Sequence, residues 1–390
     1  MTEPTPLVLN TAPKDNDDLP ARATGASPPP SSHDVAGKTP AEPFMIDRQR
    51  AARDITYGND LYVYQPAGDD GPSLTRLQRP PGGIYFGSYQ VGILSCHANR
   101  CDDHNQEKFY MVAALCVDKF ELGRGRFVLY LYNSKIKTWT ISNVSVEDEH
   151  FQKYQEEGWF LYQITRVIAV GGEDATVAFV DLWRGILLCD LSHVMDKPCL
   201  RYVPLPGWPG SPEFGDAYLS RDIAVVRGHF RFVRHKLWWK NSACPTCCRD
   251  ECVEDGWKAT VWTRPVSACS LVDDSWERVC DMESSKMDVK SCPDFQLLPK
   301  FNDYEGRPLS PFKRLHVSLP TLIWHIDDTV CFMVKINRGD AKAWVVTVEV
   351  MNNRLLGVAE FDAERYIRIG FAYLHSRISQ YLKRAPETLF

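Results

Sequence analysis

From Asn59 almost to the C-terminus, short apolar or alternating runs follow one another, each bounded by Gly, Pro, Asn or Asp. A two-residue period over four to eight positions, closed by turn formers, is the signature of a strand. The series opens with LYVYQ (Leu61 to Gln65), VGILSC (Val91 to Cys96), FYMVAALCV (Phe109 to Val117) and FVLYLY (Phe127 to Tyr132). TVAFVDL and ILLCD then flank Trp183-Arg184-Gly185. FRFVRH (Phe230 to His235), KATVWTR (Lys258 to Arg264), VCFMVKI (Val330 to Ile336) and AWVVTVEV (Ala343 to Val350) complete it.

Turn chemistry joins these strands to their neighbours. Asn133-Ser134-Lys135, Arg184-Gly185 and Asn352-Asn353 each separate two runs, and Asn and Gly tolerate the positive φ of tight hairpins. The hairpins fall into four groups, at residues 109–140, 164–204, 221–280 and 320–361. Each reads as a four-stranded antiparallel blade, so the expected fold is all-β, with a β-propeller-like body. The groups start roughly 55 to 100 residues apart, wider than the about 40 to 50 of regular propeller repeats, so long loops or further strands fill the gaps. Helical patterning is confined to a short amphipathic stretch, Ser145 to Gly158, and a C-terminal one containing Leu374, Ile378, Tyr381 and Leu382. The second is expected to be a helix capping the sheets.

Before this body the texture differs. Residues 1–50 hold nine prolines ahead of residue 44, including Pro28-Pro29-Pro30, and few large apolar groups. Such a stretch buries too little to offset its ordering entropy, so a disordered Pro-rich tail is expected there, with residues 51–390 as a single domain.

Composition supports the sheet reading and narrows the function. The chain is 44% apolar and 12% aromatic, with 11 Trp and 16 Tyr, residues suited to a pleated, half-buried surface. Its 45 basic and 50 acidic residues are mixed along the chain to a net charge of −5, which argues against a nucleic acid as partner. Asp15, Asp17 and Asp18 stand where a secretory signal would be basic and then apolar, and no run reaches about 18 apolar residues. The expected location is intracellular, cytoplasmic or nuclear, without a membrane. The 13 cysteines, several of them inside apolar strands such as Cys116 and Cys189, fit a reducing compartment.

Candidate chemistry is sparse. Cys244-Pro245-Thr246-Cys247-Cys248-Arg249-Asp250-Glu251-Cys252 contains the Cys-x2-Cys spacing that lets two thiolates reach one zinc, and Cys252 or His235 could complete the set. The adjacency of Cys247 and Cys248 favours a cysteine-bearing loop instead. Cys96-His97 with Cys101 and His104 is a second ligand-rich stretch, read as a polar loop between strands. Gly123-Arg124-Gly125-Arg126 joins two strands and lacks the helix that a phosphate loop requires. Asp273-Asp274 and Asp327-Asp328 occupy turn positions. No Gly-x-Ser-x-Gly elbow occurs. Trp238-Trp239, with Arg231, Arg234, His235, Lys236 and Lys240, could stack on a single strand of nucleic acid, yet suits ordinary sheet packing or a protein contact better. Trp183 and Trp344 sit in apolar pattern and are assigned to packing. No cofactor, metal or catalytic residue is assigned.

Asp181-Leu182-Trp183-Arg184-Gly185-Ile186-Leu187-Leu188-Cys189-Asp190, followed by Arg201-Tyr202-Val203-Pro204-Leu205-Pro206, resembles a family known as domain of unknown function 1618, expanded in grasses. Ser220 to Val226, Leu315 to Pro320 with Ile326-Asp327-Asp328, Lys342 to Val346 and Leu356 to Phe361 agree with it. The resemblance spans roughly residues 59–383. It implies a plant protein with a β-rich, propeller-like body and brings no activity, cofactor or catalytic residue. Some relatives resemble substrate adaptors with an F-box, but no leucine-rich helical stretch of that kind precedes residue 59 here. The function expected is therefore a non-enzymatic scaffold that binds an unknown protein partner. Two alternatives stand beside it. One is a small-molecule or carbohydrate binder, or an enzyme, using a central cavity lined by some of Asp181, Arg184, Arg221 and Asp222. The other is a zinc module at Cys244 to Cys252.

Overall fold

The structure is a computed structural model that describes residues 7–11, 44–47, 60–68, 71–84, 86–97, 108–117, 125–146, 148, 151, 162–171, 175–191, 200–206, 216–239, 254–266, 275–302, 305–323, 328–362 and 371–374. Two strands come early, β1 (Leu7–Thr11) and β2 (Phe44–Asp47). Both lie inside the stretch expected to be a tail, where the runs LVLN and FMI supply the apolar residues that the surrounding sequence lacks. β3 (Asp60–Gly68) and β4 (Gly71–Arg76) join β1 in a three-stranded antiparallel sheet ordered β1-β3-β4.

Four four-stranded antiparallel meanders follow. The first holds β5 (Val91–His97), β6 (Lys108–Val117), β7 (Arg126–Asn133) and β8 (Thr138–Ser145). The second holds β9 (Arg166–Gly171), β10 (Thr176–Asp181), β11 (Gly185–Asp190) and β12 (Leu200–Pro204). The third holds β13 (Arg221–Val226), β14 (His229–Trp239), β15 (Glu254–Pro265) and β16 (Glu277–Glu283). A two-stranded ribbon, β17 (Phe301–Asn302) with β18 (Pro308–Leu309), precedes the fourth. That sheet holds β19 (His316–Leu322), β20 (Thr329–Lys335), β21 (Lys342–Glu349) and β22 (Arg354–Asp362). β23 (Phe371–Leu374) pairs with β2. Leu374 therefore belongs to a strand and not to the expected C-terminal helix: the FAYL run of β23 finds an edge to pair with, and ladder pairing outweighs a helical period carried by few residues. Ile378, Tyr381 and Leu382 lie outside the described residues, as does most of the Ser145 to Gly158 stretch, of which Ser145 ends β8.

The four groups read from the sequence correspond to the four meanders, and the strand VGILSC, read outside the groups, is the first meander's β5. Each meander packs on the next, and the alternation of side chains shows how. Val177 and Phe179 of β10, with Leu187 and Cys189 of β11, meet Leu94, Leu115 and Leu129 of the first meander. Their neighbours Ala178, Val180, Ile186 and Leu188 point the other way, onto Ile223, Phe230 and Phe232 of the third. Val233, Trp257 and Val261 in turn pack on Val317, Phe332 and Val346 of the fourth. A strand buried on both faces has no polar side, so TVAFVD and GILLCD are unbroken apolar runs. At about 1.5–3 kcal/mol for each large side chain buried, these interlayer cores dominate the stability.

The first strands of successive sheets touch in order, β1 on β5, β5 on β9, β9 on β13 and β13 on β19. Close approach there needs small residues. A Cβ on Gly92 of β5 would stand 2.5 Å from Val167 Cγ1 of β9.

Turns follow their local chemistry. Asn133 Oδ1 accepts from the Lys135 amide at 2.9 Å, and Asn353 adopts φ 50° between β21 and β22. Gly185 differs from expectation. Its φ is not in the left-handed region; it is needed because a Cβ would lie 2.4 Å from Tyr202 Cε2 and 2.6 Å from the Val203 carbonyl.

Candidate functional site

Where the second, third and fourth meanders meet, a cluster of buried polar groups interrupts the apolar cores. Asp181 closes β10 and is fully buried. Its carboxylate accepts from the Trp183 amide at 2.9 Å, the Gln163 amide at 2.8 Å and Arg184 Nη1 at 2.8 Å, so it organises the Leu182-Trp183-Arg184 turn. Burial pushes its pKa up, opposed by Arg184 and by the amides. The Tyr162 hydroxyl lies 2.7 Å from the Phe179 carbonyl and 2.9 Å from the Gly185 carbonyl, and accepts from the Asp181 amide at 3.2 Å. Desolvation holds that phenol well above its usual range.

Arg221, the first residue of β13, carries this turn into the third sheet. Nη1 donates to the carbonyls of Leu182 at 3.1 Å and Trp183 at 3.2 Å, and the guanidinium stacks 4.4 Å from the Trp183 ring. The planar guanidinium lies on the ring face while its Nη1 serves both carbonyls.

Asp222, next in sequence and pointing oppositely, joins three sheets. It pairs with Arg166 Nη1 of β9 at 2.7 Å and accepts from the Leu322 amide of β19 at 2.9 Å. Arg166 Nη1 also donates to the Ile223 carbonyl at 2.6 Å, and its guanidinium lies 5.6 Å from the Tyr218 ring, whose hydroxyl donates to the Thr165 carbonyl. Burial works against the Arg166 cation, but Asp222 and Tyr218 more than offset it and hold it charged. The β19 segment that meets Asp222 is irregular. The register with β20 shifts between Ser318 and Thr321, and Leu319 sits at φ 53°. A left-handed leucine is strained, and the Asp222 bond to Leu322 together with Thr321 Oγ1 on the Leu319 carbonyl, 3.2 Å away, fixes that bulge.

The four ionisable residues singled out from the sequence, Asp181, Arg184, Arg221 and Asp222, are thus brought together. They bind backbone groups and one another inside the sheet junction. Tyr162, Arg166 and Tyr218 belong to the same cluster and were not anticipated; an arginine opening a strand is also the ordinary pattern of a solvated strand end, so no sequence signal separates the two cases.

The other candidates land elsewhere. His235 is buried in β14 against the rings of Trp257 and Phe332, at 5.7 and 5.9 Å, which also touch each other at 5.2 Å, and its Nε2 has no hydrogen-bond partner among the described residues. Burial, helped by His316, drives its pKa down to about 3. Cys244, Cys247, Cys248, Cys252, Cys101, His104, Gly123, Arg124, Lys240, Asp273, Asp274 and Asp327 lie outside the described residues. Cys96 is a buried core thiol of β5, raised by desolvation. Gly125 takes the left-handed φ of 64° ahead of Arg126. Asp328 is likewise a turn residue, at φ 57°, and pairs with Arg231 at 3.0 Å. Those two charges border Cys280, whose thiol burial and the carboxylates of Asp281 and Asp328 push up to about 11. Lys236 is exposed, and Trp238 and Trp239 end β14. Trp344 is buried between the third and fourth meanders. Among the described residues, no three His, Cys, Asp or Glu side chains gather as metal ligands.

These features define a class: an all-β protein of antiparallel four-stranded sheets, riveted at their junction by buried ion pairs and arginine–carbonyl bonds. Residues 179–331 match the family described as Protein of unknown function (DUF1618), the family that the WRGILLCD segment resembles. The matched stretch holds Asp181, Trp183, Arg184, Arg221 and Asp222, while Arg166 and Tyr162 precede it. Comparison with curated proteins found no match.

Proposed function

We propose that the chain is a non-enzymatic scaffold for protein partners, built as a β-propeller whose blades are the successive meanders. Sequential meanders that touch through their first strands are the arrangement expected of blades around a common axis. The observation that carries the binding role is at the turns. Ile136 lies between the third and fourth strands of the first meander and Met351 between those of the fourth, and they are 57% and 56% exposed. Up-and-down topology puts such third-to-fourth turns at the same end of every blade, so both apolar side chains belong to one face. Large apolar residues left in water at loop tips suit a protein contact. The buried ionisable cluster supports the same reading, because Asp181, Arg221 and Asp222 are engaged in holding sheets together.

The test is quantitative affinity capture from native tissue with the full chain and with an Ile136→Asp, Met351→Asp double variant that unfolds at the same temperature. Partners recovered by the native chain and lost by the variant are expected. Identical recoveries, or none beyond background from either, would overturn the proposal.

A further inference from the structure

The outer strands of a meander present one unpaired edge, and such edges are normally guarded by charge, proline, bulges or cover. Most of these sheets follow that rule. β4 contains Pro72 and Arg76; β12 contains Arg201 and ends in Pro204, whose carbonyl takes Trp276 Nε1 at 2.8 Å. β16 carries Glu277, Arg278, Asp281 and Glu283, and β22 carries Arg354, Glu360 and Asp362 with a register shift against β21.

β8 is the exception. Its sequence, TWTISNVS, has no charge, no proline and no glycine, and is rich in residues of high β-propensity. It pairs with β7 in unbroken register from Asn133↔Thr138 to Arg126↔Ser145, so no bulge twists it away. Among the described residues its other edge has no ladder partner. Val146, just past the strand, bridges Leu200, which leaves Thr138–Ser145 as the open stretch. Ile141, in the middle of it, is 48% exposed.

The ends of this strand are oppositely charged. Lys135 and Lys137 precede it, and Glu147, Asp148 and Glu149 follow it. Antiparallel pairing of the strand with itself lays each basic end against the acidic end of the other copy, twice over. A two-fold axis normal to the sheet also requires opposed residues to share a face, which confines the register to partners an even number of positions apart. The register centred on Ile141 meets this condition. It sets Ile141 against Ile141 of the second copy, Thr140 against Ser142 and Trp139 against Asn143.

We propose that β8 is a homodimerisation edge, through which two copies join their first meanders into one eight-stranded antiparallel sheet. This is an isologous contact, closed by its own symmetry. It does not depend on the propeller reading or on the exposed turns.

Sedimentation or light scattering of the full chain up to roughly 100 µM, which populates any interface tighter than that, is expected to give a dimer. Ile141→Lys, a change at a half-exposed position, sets two cations across the axis and is expected to raise the dimer Kd at least about tenfold while leaving unchanged the thermal midpoint measured at a dilution where both proteins are monomeric. A second pair of variants keeps the test open should that one misfold. Lys135→Glu with Lys137→Glu, and separately Glu147→Lys with Glu149→Lys, should each be monomeric alone and should form a heterodimer when mixed. A monomer at every concentration, a dimer indifferent to Ile141→Lys, or charge variants that fail to recognise each other would overturn the proposal. Capture of another protein's extended segment by a monomeric chain would also overturn it.

Discussion

Replacing His235 by phenylalanine separates a buried imidazole from everything else that titrates in this protein. The ring packs against the contacting pair Trp257 and Phe332, and its folded-state pKa is about 3. In the unfolded chain a histidine titrates near 6.5. The folded value is the lower one, so the unfolded state takes up the proton first. The imidazole therefore withholds nothing from stability above about pH 6.5, and stability is lost progressively as pH falls from there toward 3. At pH 5 the unfolded-state group lies about 1.5 units above the solution pH, which amounts to a loss of about 2 kcal/mol. His316 bears on the ring electrostatically, and the nearby Lys335 is occupied with the Asp340 carbonyl at 2.8 Å. Phenylalanine keeps the ring packing, and the His235 backbone amide still reaches the Ser220 carbonyl at 2.7 Å. It also removes the Nε2 atom left without a hydrogen bond, so at pH 7 the variant should match or exceed the native chain by up to about 1 kcal/mol. Denaturant unfolding of both proteins at pH 7, 6 and 5 gives the comparison. The stability difference should widen by about 2 kcal/mol in favour of the variant between pH 7 and 5. Parallel stability curves would refute the assignment of His235 as a core group held neutral.

Asp222→Ala strands the Arg166 cation and the Leu322 amide together and should cost about 3–5 kcal/mol in urea unfolding, with Asp222→Asn milder because it can still accept from Leu322. Gly185→Ala drives a methyl into the Tyr202 ring and a backbone carbonyl, and about 1–3 kcal/mol of destabilisation is expected; Gly92→Ala, opposed only by a valine methyl, should cost less in the same thermal melt. Arg221→Lys forfeits the planar stack on Trp183. A changed near-ultraviolet tryptophan signal should accompany a loss of about 1–2 kcal/mol, and an unaltered spectrum would count against the stack.

Strand patterning was legible because it is local. A two-residue period and an Asn or Gly at the turn report on residues a few positions apart, so the meanders 164–204 and 221–280 could be outlined before any contact was known. The first meander was outlined only from Phe109, because β5 is separated from β6 by a ten-residue polar stretch, longer than a tight hairpin turn. Leu374 was placed in a helix for a related reason: FAYL fits a helix face as well as a strand, and only the pairing with β2, more than 300 residues away in the chain, decides between them.

The candidate cluster shows the same division more sharply. Composition and motif placed Asp181, Arg184, Arg221 and Asp222 under suspicion, yet their role depends on groups from other sheets: the Leu322 amide 100 residues from Asp222, and the carbonyls of Leu182 and Trp183 that Arg221 binds. The sequence by itself determined the all-β class, most of the strands in the four meanders and several of the turns that join them. Tertiary structure decided which charges meet, which glycine yields space to a ring, and which edge has no ladder partner among the described residues. Hydrophobic period is a property of neighbours along the chain, whereas charge pairing, close approach and edge exposure are properties of neighbours in space.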